Sequence, residues 1–110
     1  MTPAQQERVI GAVFAALADP TRRRVVQSLA GGTTVTASAL ARDLPITRQA
    51  VAKHLAALDH AGLVACERRG REAHYRLTPE PLTEAAGWMA ALGGQWDDRL
   101  EALRTHLARG

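Results

Sequence analysis

A mainly α-helical domain with one small β-hairpin, a winged helix-turn-helix in the order α-α-α-α-β-β-α, is the fold this sequence predicts. Three observations lead to it. A proline turn, Leu44-Pro45-Ile46-Thr47, separates a short helical segment from a longer one. A glycine-centred stretch, Leu63 to Leu77, alternates at strand period around Arg69-Gly70-Arg71. Helical periodicity of three and four residues flanks this middle region on both sides.

The first helix is read from Pro3 to Ala18, because Val9, Ile10, Val13, Phe14 and Leu17 recur at helical spacing and form one apolar stripe. Asp19-Pro20 closes it and opens the second helix. An Asp carboxylate accepts orphan backbone N–H groups, and proline at the first helical position lacks only an N–H that would be unpaired anyway. The second helix runs to about Ala30 and stops at Gly31-Gly32. Thr36 caps a third helix, Ala37 to Leu44, with Leu40 and Leu44 facing inward. Thr47 caps a fourth, running to about Ala61, whose Val51, Leu55 and Leu58 face the core. Gly62 stops this helix, two strands with a tight basic turn follow, and Tyr75 is expected to pack beneath them. Cys66 is expected to be a small buried hydrophobe. After Thr78-Pro79 a long last helix carries Met89, Leu92, Trp96, Leu100, Leu103 and Leu107, and Gly93-Gly94 is expected to bend it or admit a close neighbour.

The chain of 110 residues has the size of one domain, and 46% hydrophobic content suffices for one core. The expected organisation is a single unit over 1–110, with 36–78 as its reading head and 1–18 and 80–108 as helices that meet a partner. No apolar run reaches the ~18 residues of a membrane span, and the first residues lack the basic-then-apolar order of a secretory leader, so a soluble cytoplasmic protein is expected. A single cysteine rules out a disulfide or thiolate-zinc framework within one chain. Thirteen of fourteen cations are Arg. Eleven cations face six carboxylates up to Thr78, against three and five beyond it, so the positive field belongs to the first two-thirds. Arginine suits phosphate and guanine recognition through its planar fork, although a GC-rich genome enriches Arg as well.

These features converge on double-stranded DNA as the partner. In the fourth helix the face opposite the apolar stripe is polar at its start and small thereafter, as entry into a major groove requires. Thr47, Arg48 and Gln49 stand in the first turn, where Arg48 can read guanine and Gln49 adenine. Lys53 is assigned a phosphate contact. His54 is placed with the DNA contacts, although it lies beside the apolar stripe and suits a half-buried structural role nearly as well. Arg68, Arg69 and Arg71 crowd the hairpin tip, where contact with phosphate or a minor groove explains them better than protection of a strand edge. Arg22 is expected to form an intramolecular ion pair, and Arg23 or Arg24 to approach phosphate only secondarily. Trp88 and the last-helix seam expose more apolar surface than one small domain covers. A homodimer is therefore expected through Ile10, Val13, Phe14, Leu17, Trp88, Met89, Leu92, Trp96, Leu100, Leu103 and Leu107. Two-fold symmetry would set two reading helices roughly 34 Å apart, one DNA turn, and so match a palindromic operator.

The segments Leu17-Ala18-Asp19-Pro20-Thr21-Arg22-Arg23-Arg24, Thr47 to Leu55, Ala61-Gly62-Leu63-Val64 and Arg68-Arg69-Gly70-Arg71 resemble the ArsR family of winged-helix repressors over nearly the whole chain. The resemblance implies a homodimer built from the first and last helices with the fourth helix in the major groove. Many relatives sense metal through cysteines on the third helix, but here that segment reads Thr36-Ala37-Ser38-Ala39-Leu40-Ala41 and has no thiolate. A second family site lies on the last helix, where this chain has Asp97, Asp98, Glu101 and His106; no ligand stands one turn from His106, so a site there would need the partner chain. The resemblance is closer to the metal-independent branch, with no cofactor and an effector that the sequence does not identify. Two alternatives remain: a metal-responsive repressor using the last helix, and a protein-interaction module that has lost DNA binding. No enzyme is expected, since no nucleophile triad, phosphate loop or paired-carboxylate site appears.

Overall fold

The computed structural model describes residues 1–109. Its elements are α1 (Pro3–Leu17), α2 (Pro20–Leu29), α3 (Ala37–Asp43), α4 (Arg48–His60), β1 (Val64–Arg69), β2 (Glu72–Leu77) and α5 (Glu80–Arg109). This is the expected order, with boundaries within one residue of those read for the first four helices.

Local chemistry explains the boundaries. Each of the first four helices begins at a residue whose side-chain oxygen accepts a backbone N–H three positions on: Asp19 from Arg22 at 3.0 Å, Thr36 from Ala39 at 3.1 Å and Thr47 from Ala50 at 3.1 Å. Thr2 does the same for Gln5, whose side chain returns the bond, a capping box whose Thr-x-x-Gln signature sequence reading passed over. At the end of α4, Gly62 adopts φ +79°. There the Leu63 N–H donates to Leu58 and the Gly62 N–H to Asp59, so a Schellman closure turns the chain into β1.

The core gathers one stripe from each helix: Val13, Ala16, Val25, Leu29, Leu40, Val51, Leu55, Leu58, Leu63, Val64 and Ala85. No charged or polar residue is buried among the described residues. β1 and β2 pair antiparallel, Val64 opposite Leu77 through Arg69 opposite Glu72. Gly70, the first of two turn residues, alone has positive φ (63°), as a type II′ hairpin requires. One further bridge escaped sequence reading: Val35 exchanges backbone hydrogen bonds of 2.9 and 2.8 Å with Tyr75, tying the hairpin to the approach to α3. Tyr75 is half-buried against the core.

Several expectations need correction. Ile10 and Val13 do not lie on an outer face: they are 4% and 1% exposed, because that side of α1 packs within its own chain. Leu17 is half-buried against the same core. Cys66 is exposed, because the hairpin leaves the body of the protein soon after Val64. Arg22 forms no ion pair; among the described residues the pairs are Arg69–Glu67 and Arg104–Glu101. Its Nε is buried without a hydrogen-bond partner. Helix α5 continues through Gly93-Gly94, and nothing lies within 4 Å of where a Cβ would stand at either glycine. No helix is long and apolar enough to cross a membrane among the described residues.

Candidate nucleic-acid interface

The beginning of α4 and the hairpin face each other across an open groove of about 370 Å³. Arg48, Gln49 and Ala52 form one wall, successive positions on the side of α4 away from Val51, Leu55 and Leu58. Arg68, Arg71, Glu72, Ala73 and Tyr75 form the other, and Thr36, Ala37 and Ser38 at the start of α3 close the end. Three guanidinium groups therefore share a groove whose remaining lining, apart from Gln49 and the Glu72 carboxylate, is small or hydroxylated. Burial, followed by the neighbouring Cys66 thiol, raises the Tyr75 pKa above its ordinary 10.0, so the phenol is neutral at physiological pH.

The sequence-derived residues divide into those that meet here and those that do not. Arg48, Gln49, Arg68 and Arg71 line the groove; Thr47, exposed as the α4 cap, does not. Arg69 lies outside, its guanidinium 3.3 Å from the Glu67 carboxylate. Arg68 lies opposite Ala73, which also lines the groove, whereas Arg69 is turned to Glu67, two residues back on its own strand. Lys53 is exposed but does not line the groove.

His54 needs correction as a contact residue. It is half-buried with Nδ1 enclosed and unpartnered, and it stands close enough to Asp19 at the head of α2 to help keep that carboxyl ionised. The Asp19 pKa falls below its ordinary 3.8 chiefly because the Arg22 backbone N–H donates to it; burial opposes this, while the Thr21 N–H, His54 and the Arg22 charge reinforce it. His54 thus belongs to the packing of α4 on α2. Arg23 is also engaged within the chain: its guanidinium donates to the Leu17 carbonyl at 2.6 Å and closes α1.

Sequence reading took Thr36 only as a helix cap and did not assign Thr36, Ser38 or Glu72 to the site. Only the helix start preceding the Pro turn, and the first strand residue after the Gly70-Arg71 turn, could have pointed to them. On the other side of the protein, Phe14 and Trp88 meet edge to face with centroids 5.8 Å apart, yet Trp88 remains 46% exposed and Trp96 59%. Met89, Leu92, Leu100, Leu103 and Leu107 are exposed with them. Asp97, Asp98, Glu101 and His106 are exposed as well, and no three potential ligands come together among the described residues.

Residues 17–67 match the model of a helix-turn-helix domain. The chain is 40% identical over 85 residues to the HTH-type transcriptional regulator YuzN of Bacillus subtilis, covering 71% of this chain and 92% of that protein. It is 32% identical over 88 residues to the transcriptional repressor SdpR of the same organism, covering 80% and 97%. Among solved structures it superposes on an ArsR-like transcriptional regulator from Rhodococcus sp. RHA1 with a TM-score of 0.74 and 42% identity over 88% of this chain and 91% of that one. It also superposes on the homodimeric winged helix-turn-helix DNA-binding domain Mb0332 of Mycobacterium bovis, with a TM-score of 0.59 and 28% identity over 89% and 84%. A helix-turn-helix followed by a two-stranded wing, together with these likenesses over most of the chain, shows that this protein belongs to the ArsR family of winged helix-turn-helix transcriptional regulators.

Proposed function

We propose that the protein is a homodimeric repressor that occupies a palindromic operator without a metal cofactor. The observation that carries this reading is the groove itself, which gathers Arg48, Gln49, Arg68 and Arg71 from two separate elements. With α4 in a major groove, the hairpin reaches toward the adjacent minor groove and the intervening phosphates face the guanidinium groups. Arg48 and Gln49 then supply base discrimination, and Arg68 with Arg71 supplies affinity. Dimerisation is supported by the exposed apolar residues of α5 and by the homodimeric state of the Mb0332 domain. Repression is supported by the likeness to SdpR. The role without metal is supported by the absence of a thiolate from the Thr36–Ala41 segment.

Selection of bound DNA from random sequence at physiological salt, with and without chelator, tests the proposal. A palindrome enriched under both conditions is expected. Recovery of no preferred sequence would reject operator recognition, and loss of the palindrome under chelator would reject the metal-free role.

A further inference from the structure

Among the described residues, two buried side-chain polar atoms have no hydrogen-bond partner: Nε of Arg22 and Nδ1 of His54. Both residues are half-buried, but these two atoms are closed to solvent, so a partner has to come from the protein itself. A buried polar group left unpaired is costly, and each of the two calls for a group of the opposite kind.

Position brings them together. Arg22 stands three, four and seven residues before Val25, Val26 and Leu29, on the stripe by which α2 enters the core. His54 stands three residues after Val51 and four before Leu58, beside Leu55, on the corresponding stripe of α4. These helices pack on each other, so an arginine and a histidine hold positions in the contact where their neighbours are apolar. Asp19 marks the place more closely. It caps α2 by accepting the Arg22 backbone N–H at 3.0 Å, and both Arg22 and His54 stand near enough to help keep its carboxyl ionised. The two unpaired nitrogens therefore border one corner at the head of α2. Their chemistry is complementary: the Arg22 Nε–H can only donate, and the His54 Nδ1 accepts when the ring proton is on Nε2. With the proton on Nδ1 instead, α4 would offer Arg22 a second donor.

We propose that His54 is a positioning residue for the reading helix: a turn of the two side chains lets its Nδ1 accept from the Arg22 Nε–H, and this tie fixes the seat of α4 on α2. The role rests on the operator reading above and adds to it the contact that aims the helix. Arg48 lies six residues before His54, about 9 Å along the same helix, so a tilt of α4 at this contact displaces Arg48 and Gln49 from the bases they read. Apolar packing alone tolerates small tilts, whereas a buried donor and acceptor that satisfy only each other specify one arrangement.

Nitrogen NMR of the free full chain reads the tautomer of His54, its resonances being assigned by their loss in His54→Asn. A ring protonated at Nε2 is expected, and a neutral ring with its proton on Nδ1 would overturn the proposal. Affinities for the selected palindrome and for non-specific DNA, measured at one salt concentration, test the role. Arg22→Lys keeps the charge and loses the Nε–H, while His54→Gln places its amide near Nε2 rather than Nδ1. Each should lower the ratio of palindrome to non-specific affinity roughly tenfold. His54→Asn, whose Oδ1 stands where Nδ1 did and also accepts, should stay within about twofold of wild type. The combined Arg22→Lys/His54→Gln protein should fall no further than either single variant, because both changes remove the same tie. Additive losses would mean two independent effects and overturn the pairing. An unchanged ratio with a lowered urea midpoint would make the two residues packing alone and overturn the positioning role. A wild type with no sequence preference would reject the operator reading and the role together, and the tautomer, which needs no DNA, separates that failure from failure of the pairing.

Discussion

Arg69 and its neighbours show how finely position decides a side chain's role. Three arginines lie within four residues of the wing, yet Arg68 and Arg71 line the groove while Arg69 is held by Glu67 on the other face. Arg68→Ala and Arg71→Ala should each weaken binding to all DNA sequences and reduce the slope of log affinity against log salt by about one. Arg69→Ala should change both less, and a salt titration of the three variants checks this order. Arg48→Ala should differ in kind: it should lower operator affinity by about 1–3 kcal/mol and relax preference at one base position, with competition against permuted operators as the measurement. His54 could not be settled from sequence, because a residue beside an apolar stripe faces either solvent or a neighbouring element. Only the docking of α2 on α4 sends it inward. Asp19 was legible as a cap, and its environment adds a pH signature. Its folded pKa lies below the unfolded 3.8, so its contribution to stability is complete above that value and is lost as pH falls through the folded pKa. Acid unfolding of Asp19→Asn, which keeps a capping side chain without the charge, should show the gap to wild type closing below pH 3.8.

Elements were the most legible level, because their boundaries are written in local chemistry. Asp19-Pro20, Thr36, Thr47 and Gly62 each act on backbone groups within a few residues, so no tertiary information is needed to place them. Thr47→Ala removes the hydroxyl that accepts the Ala50 N–H and should destabilise the protein by roughly 0.5–2 kcal/mol in urea denaturation. Gly70→Ala should also destabilise, by about 1 kcal/mol, because the turn holds this residue at φ +63° with open space around it, which makes backbone strain the whole effect. The features sequence reading missed depend on distant partners. The Val35–Tyr75 bridge joins residues forty positions apart and has no periodic signature at one residue's length. Cys66 obeys the strand alternation, but alternation says which way a side chain points and not how far the core extends beneath it. Gly93-Gly94 weakens the middle of α5, yet two residues at roughly 1 kcal/mol each leave a helix of 30 residues continuous, as the seam running on to Leu107 had implied.

At the scale of the whole molecule, two surfaces with different demands are joined through one core. The groove between α4 and the hairpin gathers three guanidinium groups on short elements; beyond it α5 extends the molecule to 70 Å along its longest axis and carries an uncovered apolar row. Ile10 and Val13 could not be assigned correctly from sequence, because a single helical stripe looks the same whether it covers its own chain or a partner. Leu103 is unambiguous, being 53% exposed and remote from the core. Leu103→Asp should therefore leave the folded domain's urea midpoint, measured below the dimer dissociation constant, within about 0.5 kcal/mol of wild type, as for other exposed positions. It should nevertheless disrupt the pairing on which a palindrome depends. A dimer engages the second half-site as an intramolecular event, whereas a monomer must recruit a second molecule from solution. Affinity for an isolated half-site should be unchanged by Leu103→Asp, whereas affinity for the full palindrome should fall by roughly 10²-fold or more. Equal loss on half-site and palindrome in a fluorescence-anisotropy titration would instead place Leu103 in the folding of the domain rather than in its assembly.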